Sequence, residues 1–337
     1  MSGVDAFTYR PARDELAYTF GGREPVARVR SGSVLQVQTE DCFGGLVRGA
    51  ADLPSRVCQM PYLNPVSGPF FVEDAEPGDT LAVHILGIEP VREWGVSSTF
   101  PHFGALTSTS HTATLQPPLQ ERVWVYDIDR SAETVRFQAT GSEHSVDLPL
   151  QPMIGTIGVA PGAFEVRSTI VPDMHGGNLD TPELRAGATL YLGVNVPGAL
   201  LALGDGHARQ GEGEACGVGV EIATVTTLVV EVIKGVSTVW PRIETDRDLM
   251  TVGCARPLED AYRIAHRDLV GWASDLTGLD ELDAYQLVSQ AGRAPIGNVC
   301  DPNYTVLAAV EKTLLPSPGA AYDGAHARLR QHAAGPR

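Results

Sequence analysis

Residues 189–203 read TLYLGVNVPGALLAL and run directly into residues 204–214, GDGHARQGEGE. In the first segment Leu190, Leu192, Val194 and Val196 fall at alternate positions, the period of a half-buried β-strand. The second sets Asp205, His207, Glu212 and Glu214 among four glycines, which permit close backbone approach at an entropic cost an ordinary strand would avoid. Chain leaving a strand holds polar groups rigidly. In extended backbone Asp205 and His207 share one face, so a carboxylate oxygen and an imidazole nitrogen converge on one point. This Asp-x-His spacing is that of half a metal site. Acidic, glycine-rich runs are commonly solvated turns. A second cluster upstream weighs against that reading: Asp173, His175, Asn178 and Asp180 again lie among glycines, Gly176 and Gly177.

The 337 residues, 43% of them hydrophobic, suffice for a substantial core, and the length suggests two or three packed units. The 36 glycines and 24 prolines exceed the combined share of about 12% usual in globular chains, and they punctuate short alternating runs. Residues 33–37, 80–85, 134–137 and 218–233 read as strands bounded by turn residues. Helical spacing begins late. Pro257, Glu259 and Asp260 open a segment in which Leu258, Ala261, Tyr262, Ala265, Leu269, Trp272 and Leu276 share a face, with Gly278 as its stop. Asp280 caps a second helix through Gln290, with Leu282, Tyr285, Leu287 and Val288 as its buried stripe. The expected fold is mainly β: a β-sandwich or barrel body with a smaller C-terminal α+β part. It divides into a β-rich part over 1–165, a β-rich part over 166–250 carrying both His/Asp/Gly clusters, and an α+β part over 251–337 with a frayed tail after Leu315. Residues 97–118, rich in Ser, Thr and His, read as a lid carrying Phe100, Phe103 and Leu106. His102 and His111 within it, and His84 on a strand, are left outside the site.

A formal charge of −16, from 25 basic against 41 acidic residues, argues against a nucleic-acid or anionic-membrane partner, which requires a basic face. Residues 1–10 lack a basic segment followed by an apolar one, and no run of about 18 apolar residues occurs, so a cytoplasmic location is expected. Cys42, Cys58, Cys216, Cys254 and Cys300 are odd in number and include no Cys-x-x-Cys pair, which disfavours a disulfide framework and a zinc knuckle. A β-rich chain of this size has sheet edges to cover, so a homo-oligomer, a dimer or higher, is expected.

Four spaced motifs, HGGNLD (175–180), GDGHARQGEGE (204–214), NPVSGPF (64–70) with GDTL (78–81), and IGTIGVAP (154–161), resemble those of the acetamidase/formamidase family of amide hydrolases. The resemblance runs from about Ser33 to Lys312; Glu212 stands where the family more often has Asp, a longer side chain of the same chemistry. It implies the same mostly-β class, a divalent metal ion such as zinc, and hydrolysis of a small linear amide such as formamide or acetamide to carboxylate and ammonia. The alternatives are a cyclic amide or biosynthetic amide cleaved on the same scaffold, and a non-catalytic small-ligand or metal-binding β protein.

Amide hydrolysis requires an activated nucleophile, a stabiliser for the oxyanion and an acid for the leaving amine. Zinc takes imidazole nitrogen and carboxylate oxygen, and His175, Asp205 and His207 are the expected ligands. Glu221 opens an alternating strand on an otherwise small or apolar face, an environment suited to a general base. Asp41 closes a strand at an acidic position the resemblance also implies, and is assigned as a second acid/base or ligand. Asn178, together with Gly176 and Glu214, is expected to bind the substrate. Cys42 has no recognisable base beside it and reads as a structural thiol rather than a nucleophile.

Overall fold

The computed structural model describes residues 6–107, 118–316 and 320–333, and these form a two-layer β-sandwich with helices on one outer face. One sheet has nine strands in the order Ala6–Tyr9, Val34–Thr39, Thr224–Ile233, Thr80–Pro90, Thr189–Gly193, Arg242–Glu244, Asp248–Ala255, Tyr304–Glu311 and Ile296–Asn298. The ten-stranded sheet runs Ser145–Pro149, Thr134–Gln138, Arg122–Asp129, Trp94–Thr99, Val220–Ile222, Leu201–Arg209, Met153–Gly158 and Gly176–Asn178. Val66–Val72 branches from Leu201–Arg209 and carries Ala27–Val29 beside it. Each sheet draws strands from both sides of residue 165, and the nine-stranded sheet continues past residue 250.

Alternation explains the layering. Leu35, Val37, Leu81, Val83, Leu190, Leu192 and Leu228 of the first sheet meet Phe70, Ile154, Ile157, Leu201 and Leu203 of the second in one buried cluster. Each such side chain contributes about 1.5–3 kcal/mol by leaving water. The opposite face of the nine-stranded sheet is covered by the helix Leu258–Thr277, whose Ala265, Leu269 and Ala273 pack on Leu249, Ala308 and Val310. Gly278 ends that helix in the left-handed region at φ 72°, and Asp280 caps the next, Glu281–Ala291, by accepting from the N–H groups of Leu282 and Asp283.

Three local expectations are corrected. The alternation over 189–203 is not one strand: it breaks after Gly193, and Leu201–Arg209 belongs to the other sheet, because Pro197 and Gly198 turn the chain across the sandwich while apolar spacing continues through the turn. Of the expected stripe, Val288 is buried and Leu287 packs partly buried, but Leu282 and Tyr285 are exposed, and Glu281–Ala291 turns the smaller Ala284 inward in their place. The segment after Leu315 forms the turn Ala321–Gly324 and the helix Ala325–Ala333, whose Ala325 and Leu329 are fully buried against Ala82, Tyr191 and Val229. Residues 317–319 and 334–337 of that tail lie outside the described residues.

His84, directly opposite Thr189 across the sheet, places Nδ1 2.8 Å from the Thr189 hydroxyl, which is also 2.8 Å from Nδ1 of His326 on the C-terminal helix. Burial, aided by the His326 charge, holds His84 down at about 4. With an unfolded value of about 6.5, the unfolded chain takes up a proton between pH 6.5 and 4 that the folded chain refuses. Stability from this residue is therefore complete above pH 6.5 and is lost as pH falls towards 4, by up to about 3 kcal/mol. Denaturant titrations at pH 7 and pH 4.5 should show a smaller drop for His84→Gln, which does not titrate, than for the parent.

Candidate active site

At one end of the sandwich a cavity of about 580 Å³ ends on a cluster of buried acids. Strand register brings them together. His207 on Leu201–Arg209 lies opposite Glu221 on Val220–Ile222, so its Nε2 is 3.0 Å from Glu221 Oε1 and 3.2 Å from Asp205 Oδ1. Gln210 donates from Nε2 to the carbonyls of Asp180 and Gly297, so its Oε1, 2.9 Å from His207 Nδ1, accepts a proton carried on that nitrogen. Small residues leave the room: a Cβ at Gly219 would stand 2.6 Å from His207 Nδ1, and one at Gly155 would run into the carboxylates of Asp180 and Asp205.

The second oxygen of Asp205 accepts from Asn64 Nδ2 at 3.3 Å and Thr156 Oγ1 at 3.1 Å. Glu221 Oε2 accepts from the Cys42 N–H at 3.2 Å and Oε1 from the Gly219 N–H at 3.0 Å. Glu214, beside Cys300 Sγ at 3.4 Å, and Asp301 complete the buried cluster with Asp180, whose Oδ1 is buried without a partner. Burial raises Asp205, yet the His207 charge outweighs it and holds this carboxyl below the usual range. Burial pulls His207 down, and the charges of Glu221 and Asp205 outweigh it, lifting the imidazole well above its ordinary value. Burial and then the charge of Asp205, only partly offset by His207, push Glu221 up to about 7. Asp301 rises to about 8, chiefly by burial, and Asp180 goes well up through burial and the charges of Glu214, Asp205 and Asp301.

Asp205, His207, Glu214, Glu221 and Asn178 all line this cavity. Asn178 is already engaged: its Oδ1 accepts from Asn64 at 2.8 Å and from Thr156, and its Nδ2 donates to Asp301 at 2.8 Å. Gly176 does not line the cavity. It sits at φ 91° in Gly176–Asn178, where any Cβ would meet the Ile157 carbonyl. His175 does not reach the cluster either; its ring packs against Phe20 and lines a separate cavity of about 260 Å³ with Arg167 and Asp173. Burial holds it neutral, at about 4. Asp41 lies behind the cavity wall. One oxygen accepts from the N–H groups of Phe43 and Gly45 and the other from Arg92 at 2.9 Å, so it braces the turn that presents Cys42 instead of facing substrate.

Asp180 and Asp301 carry no assignment in the sequence reading. Asp180 closes the HGGNLD run and was legible as a candidate by position. Asp301 comes from a turn before Tyr304–Glu311 and has no local signal. His102 lines the cavity, Phe100 and Phe103 stand in its wall, and Leu106 is exposed; residues 108–117, with His111 and Pro117, lie outside the described residues. The five cysteines are free.

The donor set fits a divalent cation. Ligand atoms of Asp180, Asp205 and His207 lie within 4.8 Å of one another, as do those of His207, Glu214 and Glu221, and of Cys42, Asp205 and Glu221. The unpartnered Asp180 Oδ1 supports the first group.

Fold and site together define a β-sandwich protein with a carboxylate–imidazole centre at the base of a deep cavity. Residues 23–165 and 162–245 match the acetamidase/formamidase family, and the chain belongs to it. A solved acetamidase from Yersinia enterocolitica superposes with a TM-score of 0.85 at 41% identity, covering 93% of this chain and 94% of that one. A predicted acetamidase/formamidase from Thermoanaerobacter tengcongensis gives 0.81 at 35% identity, with coverage of 92% and 98%. The acetamidase of Mycolicibacterium smegmatis is 27% identical over 266 residues; the match spans 62% of this chain and 63% of that protein. No helix among the described residues is long and apolar enough to cross a membrane.

Proposed function

We propose that the chain hydrolyses the C–N bond of a linear carboxamide to carboxylate and ammonia, with water as the attacking group. The observation carrying this reading is the buried Asp205–His207–Glu221 contact at the cavity base, with acids gathered around one imidazole. Family membership and the acetamidase likenesses support the same reaction class. Glu221, poised near neutrality, takes a proton from water as its oxygen adds to the amide carbon, and returns it to the nitrogen as the C–N bond breaks. Asp205 orients the imidazole of His207, while Gln210 accepts from its Nδ1. Asn64 and Thr156 lock Asp205 in turn.

A divalent ion, zinc or another, would be held by Asp180, Asp205 and His207 and would supply Lewis acidity and a lower pKa for water. Asp180 replaces His175 in the ligand set expected from sequence, because His175 faces another cavity.

Ammonia release from purified protein, measured with and without chelation, tests the reading. Cys42 separates it from an acyl-enzyme route. Burial and the charges of Glu221 and Asp205 push this thiol well above its usual range, so it stays protonated. Cys42→Ala should keep turnover within about tenfold, with no covalent adduct in the intact mass of the parent during turnover. An inactive but folded Cys42→Ala protein would reverse the choice of nucleophile. The reading also carries a cytoplasmic enzyme and self-association; light scattering at micromolar concentration should give at least a dimer, and a strictly monomeric mass would remove the latter.

A further inference from the structure

Resting on the amide-hydrolase reading, we propose that this cavity selects linear amides with a bulky, uncharged apolar acyl group, of pentyl or arylmethyl size, over formamide and acetamide. Size is the first argument. Acetamide has four heavy atoms and occupies on the order of 100 Å³, scaling from the ~30 Å³ share of a water molecule, whereas the cavity offers about 580 Å³. Volumes of this scale hold ligands several times larger.

The distribution of chemistry is the second. The acids and His207 are buried, and the more exposed lining is dominated by Met60, Leu63, Phe100, Phe103, Ile170 and Val171, from three separate segments, with His102 and Ser168 among them. An amide group seated on the acids therefore projects its acyl carbon chain along an apolar surface. Met60 is 62% exposed, an apolar side chain at the mouth with surface left to cover. Phe103 is held in place by Gly217, where a Cβ would come within 2.5 Å of the ring. An acyl group ending in a carboxylate would lose its hydration against these apolar walls. Arg256, the guanidinium on the cavity wall, is engaged with the carbonyls of Cys300 and Asp301 and lies 4.4 Å from the Tyr304 ring centre.

Ammonia release from formamide, acetamide, butanamide, hexanamide and phenylacetamide by the full chain reads the preference. kcat/KM should rise about fourfold per added methylene up to hexanamide, the equivalent of one buried CH₂. Met60→Ser and Phe103→Ala should each lower the hexanamide-to-acetamide ratio at least threefold. A flat or falling series in the parent overturns the proposal while leaving the hydrolase reading intact, and so does an unchanged ratio in both variants. Calorimetric titration with the same amides reads the cavity without turnover. Tighter binding of hexanamide than acetamide, with no ammonia from any amide, would keep the apolar site and remove the hydrolase reading; equal binding would overturn the inference.

Discussion

Glu221→Gln should lower kcat for ammonia release by about 10²–10⁴-fold, the usual contribution of a positioned general base. Gln keeps the length and one carbonyl oxygen, so one of the N–H groups of Cys42 and Gly219, which use different oxygens of Glu221, retains an acceptor, but the side chain can no longer take a proton from water. Folding should survive, because the substitution also removes one of the like charges crowded with Asp205. Far-UV circular dichroism and the melting temperature check the fold, and steady-state kinetics check the rate. A rate within tenfold of the parent, in folded protein, would take the base role away from Glu221.

Asp180→Asn should weaken binding at the proposed divalent-ion site by more than the roughly 10–100-fold typical of losing an outer-shell partner, and activity should fall with it. Its Oδ1 is the buried polar atom at the site without a partner, and an amide is a poor substitute for an anionic ligand. His175→Gln is the matched control. That ring packs on Phe20 beside a different cavity, so elemental analysis of this variant should show the parent's metal content. Equal metal loss in both variants would place His175 in the ligand set after all. Retention of metal by Asp180→Asn would move the ligand set to His207, Glu214 and Glu221.

Sequence and structure part company where contacts are long-range. Asp205 and His207 were legible because a single residue separates them and a strand repeats its facing every second residue, although the backbone at Asp205 itself leaves extended geometry, at φ 58°. The alternation through Leu190 and Leu192 also made the β class legible, but not the crossover at Pro197 and Gly198, since apolar residues continue on both sides of it. Asp301 was invisible: it meets Asn178 across the sandwich through a hydrogen bond spanning 123 positions of sequence. His175 misled for a local reason. It shares the run of Asn178 and Asp180, but Gly176 and Gly177, both at positive φ, turn the backbone so that the imidazole faces Phe20. Asp41 misled through the turn it closes, whose N–H groups take one of its oxygens while Arg92 takes the other.

The most direct measurement is the stoichiometry of products from purified protein of known metal content, incubated with a series of linear carboxamides and with Glu221→Gln in parallel. Equimolar ammonia and carboxylate from the parent, falling at least a hundredfold in the variant, is the result this account predicts. Folded, metal-loaded parent that releases no ammonia from any amide in the series would contradict it.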